Sequence, residues 1–107
     1  MVETKDLADP VVRKLVDAVN AGDRDAFFAL LTEDATMSDD GSDRDLTEWV
    51  DREIFSSGGR MEVESQSEDG RSLVVNYTNS TYGTMRTDWR FVVEGDKVAR
   101  FETGQAG

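Results

Sequence analysis

The chain has 107 residues, neither cysteine nor histidine, and 23 acidic against 12 basic side chains, for a formal net charge of −11. That composition excludes disulfides, thiolate nucleophiles, imidazole triads and His- or Cys-ligated zinc, so any proton transfer falls to carboxylates, tyrosines or Lys5, Lys14 and Lys97. The negative field disfavours nucleic acid and anionic membranes as partners, and no apolar run approaches the ~18 residues that span a bilayer, which points to a soluble cytoplasmic protein.

One domain is expected over residues 1–107, with residues 1–8 as a loose arm. Asp9 is a natural N-cap, with Pro10 at the first helical position where a missing N–H costs nothing. Val12, Leu15, Val16 and Val19 follow at helical spacing, and Gly22 supplies the stop. Asp23 caps a second, shorter helix carrying Phe27, Phe28, Leu30 and Leu31. Thr32 to Asp34 ends it. Ala35, Met37 and Asp39 then alternate with Thr36 and Ser38 in a strand that puts Asp39 on the face of Met37. Asp40-Gly41-Ser42-Asp43 reads as a turn, and Ser42 or Asp43 caps a third helix running to about Phe55, its inner face made by Leu46, Trp49, Val50 and Ile54.

From Arg60 the pattern is that of a β-meander. Met61, Val63 and Ser65 alternate with acids, and Glu68-Asp69-Gly70 turns. Leu73, Val75 and Tyr77 form a second strand, and Met85, Thr87, Trp89, Phe91 and Val93 a third. Glu94-Gly95-Asp96 turns into a last strand from Lys97 to about Thr103. The other sheet face carries Glu62, Glu64, Arg86, Asp88, Arg90, Arg100 and Glu102, mixed charges that can pair across strands. The fold class is therefore α+β, with three N-terminal helices packed on an antiparallel sheet.

Taken in order, Ala21-Gly22-Asp23, Leu31 to Asp39, Asp43 to Trp49 and Trp89 to Val98 resemble the nuclear transport factor 2-like superfamily. Within it the resemblance is to ketosteroid isomerase-like and SnoaL-like (polyketide cyclase) domains. It implies a cone-shaped fold with a strongly curved sheet, and a homodimer made through the outer sheet face. The isomerases place a general-base aspartate at the end of the first strand, where Asp39 stands here. Their oxyanion hole joins a tyrosine on the first helix to a protonated late-strand aspartate. Leu15 occupies the tyrosine's place, and strand parity turns Asp88 outward, leaving Thr87 as the pocket residue. SnoaL-like cyclases and related dehydratases use aspartate with histidine, and histidine is missing. The last strand comes close to the end of the chain, so no further segment is expected to cover the cavity.

Trp49, Tyr77 and Trp89 suit a planar, apolar ligand, with the Tyr77 hydroxyl to orient it. Walls of a cone are core residues seen from inside, so Leu15, Phe28, Met37, Val63 and Thr87 complete the expected lining. Asp39 is the expected base, since desolvation at an apolar mouth favours the protonated form of a carboxyl. Tyr82 beside Gly83 reads as turn structure. Asp39 to Asp45 invites a calcium loop, but aligning Gly41 with the loop glycine leaves Thr47 where the bidentate Glu belongs; no metal site is expected. The expectation is a small apolar or ring-containing ligand, no cofactor, and an isomerase, cyclase or dehydratase step beside a carbonyl. The alternatives are a non-catalytic ligand binder and a dimeric interaction module.

Overall fold

A computed structural model describes residues 1–106. Helix α1 spans Pro10–Ala21 and α2 Arg24–Ala29, followed by strands β1 Leu31–Asp39 and β2 Ser42–Arg44. Helix α3, Leu46–Val50, runs on into a π-helical turn at Asp51–Phe55, and the meander follows as β3 Arg60–Gln66, β4 Ser72–Asn79, β5 Gly83–Glu94 and β6 Lys97–Gln105. The six strands form one sheet in the order β2-β1-β6-β5-β4-β3. It is antiparallel except for β1 and β6, which run parallel. That one parallel pair arises because the meander starts at the far edge, after α3, and only its last strand returns to β1.

The capping chemistry places the helices as expected. Asp9 accepts bonds from the Val11 and Val12 amides at 2.8 and 3.1 Å, and Gly22 ends α1 in the left-handed region. Asp9 is also buried and bonded by Arg71 Nε at 2.9 Å. Burial alone would raise its pKa, but Arg71 and the two amides outweigh it and hold the carboxyl below its ordinary 3.8. Asp23 caps α2 through the Ala26 amide.

Four expectations change. Residues 1–8 are packed on the domain: the Val2 amide donates to the Val63 carbonyl, Leu7 is 1% exposed, and Gln66 bonds the main chain of Asp6 and Ala8. Strand β1 begins at Leu31, because a register shift between Leu31 and Thr36 breaks the alternation and leaves Thr32 to Asp34 polar and largely outward. Ser42 to Arg44 is a strand, not a helix start, since Asp40 and Gly41 at φ 49° and 84° make a tight hairpin. The cap of α3 is consequently Asp45, whose carboxylate accepts from the Glu48 amide at 3.0 Å.

The inner sheet face and the helices enclose the core. Val12, Leu15, Val16 and Val19 of α1 are fully buried, each stabilising by about 1.5–3 kcal/mol relative to exposure. Asn20 holds α1 to the edge of β3, donating to the Met61 carbonyl and accepting from the Met61 amide. An aromatic chain runs on from there, with Phe27 against Phe101, and Phe101 against Trp89 at 5.7 Å between centroids. On the outer face Arg86 pairs with Glu64 and Arg100 with Asp43, both at 2.8 Å, while Asp88 is exposed as parity predicts. These pairs are solvent-accessible and worth about 0.2–1 kcal/mol each.

Candidate functional site

Beyond the aromatic chain, where α3 and the π turn cross the ends of the strands, the core does not close. A cavity of ≈ 340 Å³ remains. Its walls are Asp39 of β1, Trp49 of α3, Glu53 of the π turn, Tyr77 of β4, and Thr87 and Trp89 of β5. Arg44, Arg52, Tyr82 and Gln105, all exposed, stand at its mouth.

Local structure explains how each group arrives. Met37 is buried in the core, and two residues on, the pleat turns Asp39 to the same inner face. The Asp40–Gly41 hairpin folds β2 back so that Arg44 lies opposite Met37, on that face as well. Asp39 is half-buried, and Trp49 Nε1–H donates to its Oδ2 at 3.1 Å. Its other oxygen takes no hydrogen bond among the described residues and is free for a ligand.

The wall hydroxyls are differently placed. Tyr77 donates to the Glu53 carbonyl at 2.6 Å, a carbonyl that also accepts from Asn79 Nδ2 at 3.0 Å and Ser57 Oγ at 2.8 Å. The π turn takes that carbonyl out of the regular helical ladder and so makes room for side-chain donors. Burial, reinforced by the Glu53 carboxylate, pushes the Tyr77 phenol above its ordinary 10.0. Position 59 must be glycine, since a Cβ there would collide with the Tyr77 hydroxyl. Thr87 Oγ1 donates to the Val75 carbonyl at 3.1 Å and accepts from Trp89 Nε1 at 3.0 Å. Both hydroxyl protons are thus committed to main-chain carbonyls, and neither is free to polarise a ligand.

Of the expected lining, Trp49, Tyr77, Thr87 and Trp89 meet Asp39 around this cavity. Leu15, Met37 and Val63 do not; at 0%, 0% and 2% exposure they fill the closed core, where α1 and the sheet leave no space. Phe28 faces a separate groove with Leu31 and Leu46, under the Arg24 guanidinium 4.6 Å from its ring centroid. The sequence reading overlooked Glu53, Arg44, Asn79 and Met85, and Tyr82 is both turn residue and mouth residue. The Asp-Gly pair was the available signal for Arg44, being a strong short-range mark of a hairpin.

The acids from Asp39 to Asp45 diverge. Asp39 takes the Trp49 indole, Asp40 the Gln105 amide, Asp43 the Arg100 guanidinium and Asp45 the Glu48 amide. Among the described residues no three His, Cys, Asp or Glu groups gather to hold a metal, and no helix is long and apolar enough to cross a membrane. A larger depression of ≈ 570 Å³ lies on the outer face beside Ser38, Asp88, Arg90 and Glu102, a trough across charged strand surface without the aromatic cluster. We take the smaller cavity as the site because three buried aromatic rings, Trp49, Tyr77 and Trp89, meet the half-buried Asp39 carboxylate there.

Solved structures share this architecture. A nuclear transport factor 2-like protein of unknown function from Cytophaga hutchinsonii superposes with a TM-score of 0.75 at 16% identity, covering 99% of this chain and 92% of that one. A putative polyketide cyclase from Sinorhizobium meliloti gives 0.76 at 21% identity over 95% and 99%. SalBIII, an epoxide hydrolase/cyclase-like enzyme of pyran ring formation in salinomycin, gives 0.67 at 20% over 90% and 88%. No curated protein sequence matches the chain. Residues 12–106 match the model of the SnoaL-like domain. With that match and this nuclear transport factor 2-like α+β fold, the chain belongs to the SnoaL-like domain family.

Proposed function

We propose that this domain binds a small ring-containing molecule between Trp49, Tyr77 and Trp89, and that Asp39 moves a proton on it without a cofactor. The observation that carries the reading is Asp39 itself. It is half-buried in an aromatic wall, one oxygen fixed by the Trp49 indole at 3.1 Å and the other free. At ≈ 340 Å³ the cavity is of the size that takes a small organic ligand, for which roughly 300–1,000 Å³ is usual. In the proposed step the free oxygen takes a proton from a carbon next to a ligand carbonyl, leaving an enolate. The proton returns at another carbon in an isomerisation; in a cyclisation the enolate carbon attacks a second carbonyl carbon of the ligand, whose C=O π pair moves onto oxygen, and that oxygen takes the proton back from Asp39. The cyclase descriptions of two similar structures support this class of reaction.

A thermal-shift panel of steroids, aromatic polyketides, phenols and fatty acids tests the binding half. A ligand at about 100 times its dissociation constant adds about 2.7 kcal/mol. That corresponds to roughly 4–8 °C per kcal/mol in a domain of this size. Asp39→Asn should keep the shift and lose turnover. A panel with no shift in any class removes the binding reading, and turnover by Asp39→Asn removes the catalytic one.

One observation favours a second reading, a binder that does no chemistry. The Tyr77 and Thr87 protons are committed, so neither hydroxyl serves as an oxyanion donor, a kind of group typically worth about 2.7–4 kcal/mol in the barrier. In that case Asp39→Asn leaves every measurable property of the complex in place. The homodimer belongs to the proposal too, through the ion-paired outer sheet face, and sedimentation at two salt concentrations checks it.

A further inference from the structure

The cationic groups of the cavity are accounted for by the protein itself, with one exception. Trp49 and Trp89 spend their indole N–H groups on Asp39 and Thr87, and the Tyr77 and Thr87 hydroxyls spend theirs on carbonyls. Glu53 is paired with Arg52 at 3.0 Å, and Asp40 is bonded by the Gln105 amide. The chain has nine arginines. Arg13 and Arg60 bond main-chain carbonyls, and Arg24, Arg52, Arg71, Arg86, Arg90 and Arg100 are in ion pairs. Arg44 is the remaining one, with neither ion pair nor hydrogen bond among the described residues, in a chain of 23 acids. It is also the one that the Asp40–Gly41 hairpin sets on the inner face at the cavity mouth.

Given the small-molecule reading above, on which this rests, we infer that Arg44 receives a carboxylate on the ligand. The guanidinium offers a planar fork of N–H donors that matches a carboxylate in two parallel bonds. The ligand class narrows accordingly to a ring-containing carboxylic acid, its ring against Trp49 and Trp89 and its carboxylate at the mouth. Of the acids nearby, Glu53 is paired with Arg52 and Asp43 with Arg100. Asp39 and Asp40 are bonded only by neutral N–H groups and keep their charge, which favours a ligand carboxylate placed at the mouth on Arg44 rather than deeper beside Asp39. The arrangement adds an anionic group to the mostly apolar, ring-containing molecule expected from the sequence.

The test uses two probes of one shape, 2-naphthoic acid and 2-naphthalenemethanol, titrated at neutral pH with calorimetry as the readout. Wild type should bind the acid about 5- to 10-fold more tightly than the alcohol, the scale of a forked but solvent-exposed charged pair. Arg44→Gln should bind both alike, at the alcohol's affinity, with an unchanged melting temperature because Arg44 has no partner to lose. Arg52→Gln should keep the preference. Equal binding of acid and alcohol by wild type overturns the inference and leaves the small-molecule reading standing. A preference that survives in Arg44→Gln also overturns it, by placing the anion elsewhere. Binding of neither probe overturns both.

Discussion

At one end of the sheet, twelve residues of continuous helix lay Val12, Leu15, Val16 and Val19 on the inner strands, and all four are fully buried. At the other end, five residues of α-helix give way to a π turn, and what meets there is Trp49, Trp89, Tyr77, Asp39 and Glu53 around ≈ 340 Å³ of space. Both ends use the same strands and the same inner parity. They differ in the element laid on top: a long helix delivers apolar side chains at regular spacing and fills the sheet. A short one that breaks into a π turn delivers a rim of mixed chemistry and leaves a hollow. The hollow is nevertheless rigidly built. No buried side-chain nitrogen or oxygen among the described residues lacks a partner, so the polar wall carries little of the penalty that unpaired groups would impose. Substitutions at the closed end should therefore act on stability, and those at the hollow end on the ligand.

The sharpest split is expected at Asp39. Asparagine there keeps an oxygen for the Trp49 indole, so the melting temperature should stay within a degree or two, while loss of a general base lowers turnover by about 10²- to 10⁴-fold. A stability loss equal to that of a core truncation would show that Asp39 belongs with the closed end. Leu15→Ala is the mirror experiment. Leu15 is fully buried, so about 2–5 kcal/mol of stability should go on truncation, read as a drop in the urea midpoint. Ligand affinity, measured below the new melting temperature, should be unchanged, because Leu15 is no part of the hollow. An affinity lost in step with stability would mean that the two ends are not separable.

Asp9 probes the closed end by pH. Its carboxylate caps α1 and accepts from Arg71, and Asp9→Ala should cost about 2 kcal/mol at neutral pH, the upper part of the range for helix caps. The folded protein holds this carboxyl below its ordinary 3.8, against the effect of burial, through Arg71 and the two amides. A depressed folded pKa gives stability that is present above the ordinary value and lost as the pH falls through the folded one. The gap between wild type and Asp9→Ala should accordingly narrow below pH 3.8. An equal gap at neutral pH and at about pH 3 would show that the cap, not its charge, is what matters.

The two ends were also unequally legible. The closed end could be read from local rules: Asp9-Pro10 and Gly22 bound α1, its four apolar positions define the buried stripe, and the alternation of β4 and β5 sets which residues face it. Parity was enough to bring Asp39, Thr87 and Trp89 together. Depth was not, which is why Leu15, Met37 and Val63 were expected in the cavity wall; a period tells the face of a residue but not whether something is packed upon it. The rest of the hollow depends on events without a periodic signature. The parallel pairing of β1 with β6 is long-range, the π turn that turns Glu53 inward has no sequence mark, and β2 is three exposed polar residues announced only by Asp40-Gly41.

Tyr77 lies on the border between the two ends, and the smallest expected effect is the most discriminating there. Its ring packs on Trp89 at 6.0 Å between centroids, as a core residue does, while its hydroxyl faces the hollow and donates to the Glu53 carbonyl. If that bond is structural, Tyr77→Phe removes one of three donors from a carbonyl that keeps Asn79 and Ser57, at about 1 kcal/mol. Affinity and turnover then stay where they were. If instead the hydroxyl leaves Glu53 to polarise a bound ligand, turnover falls by 10-fold or more in addition to that same loss of stability, since the bond to Glu53 is present in the free protein either way. Comparing the unfolding midpoint with the turnover number in this single variant decides between a wall that only shapes the hollow and one that takes part in its chemistry. The 2.6 Å bond to an immobile main-chain oxygen, and a phenol that burial makes harder to ionise, both argue for the wall.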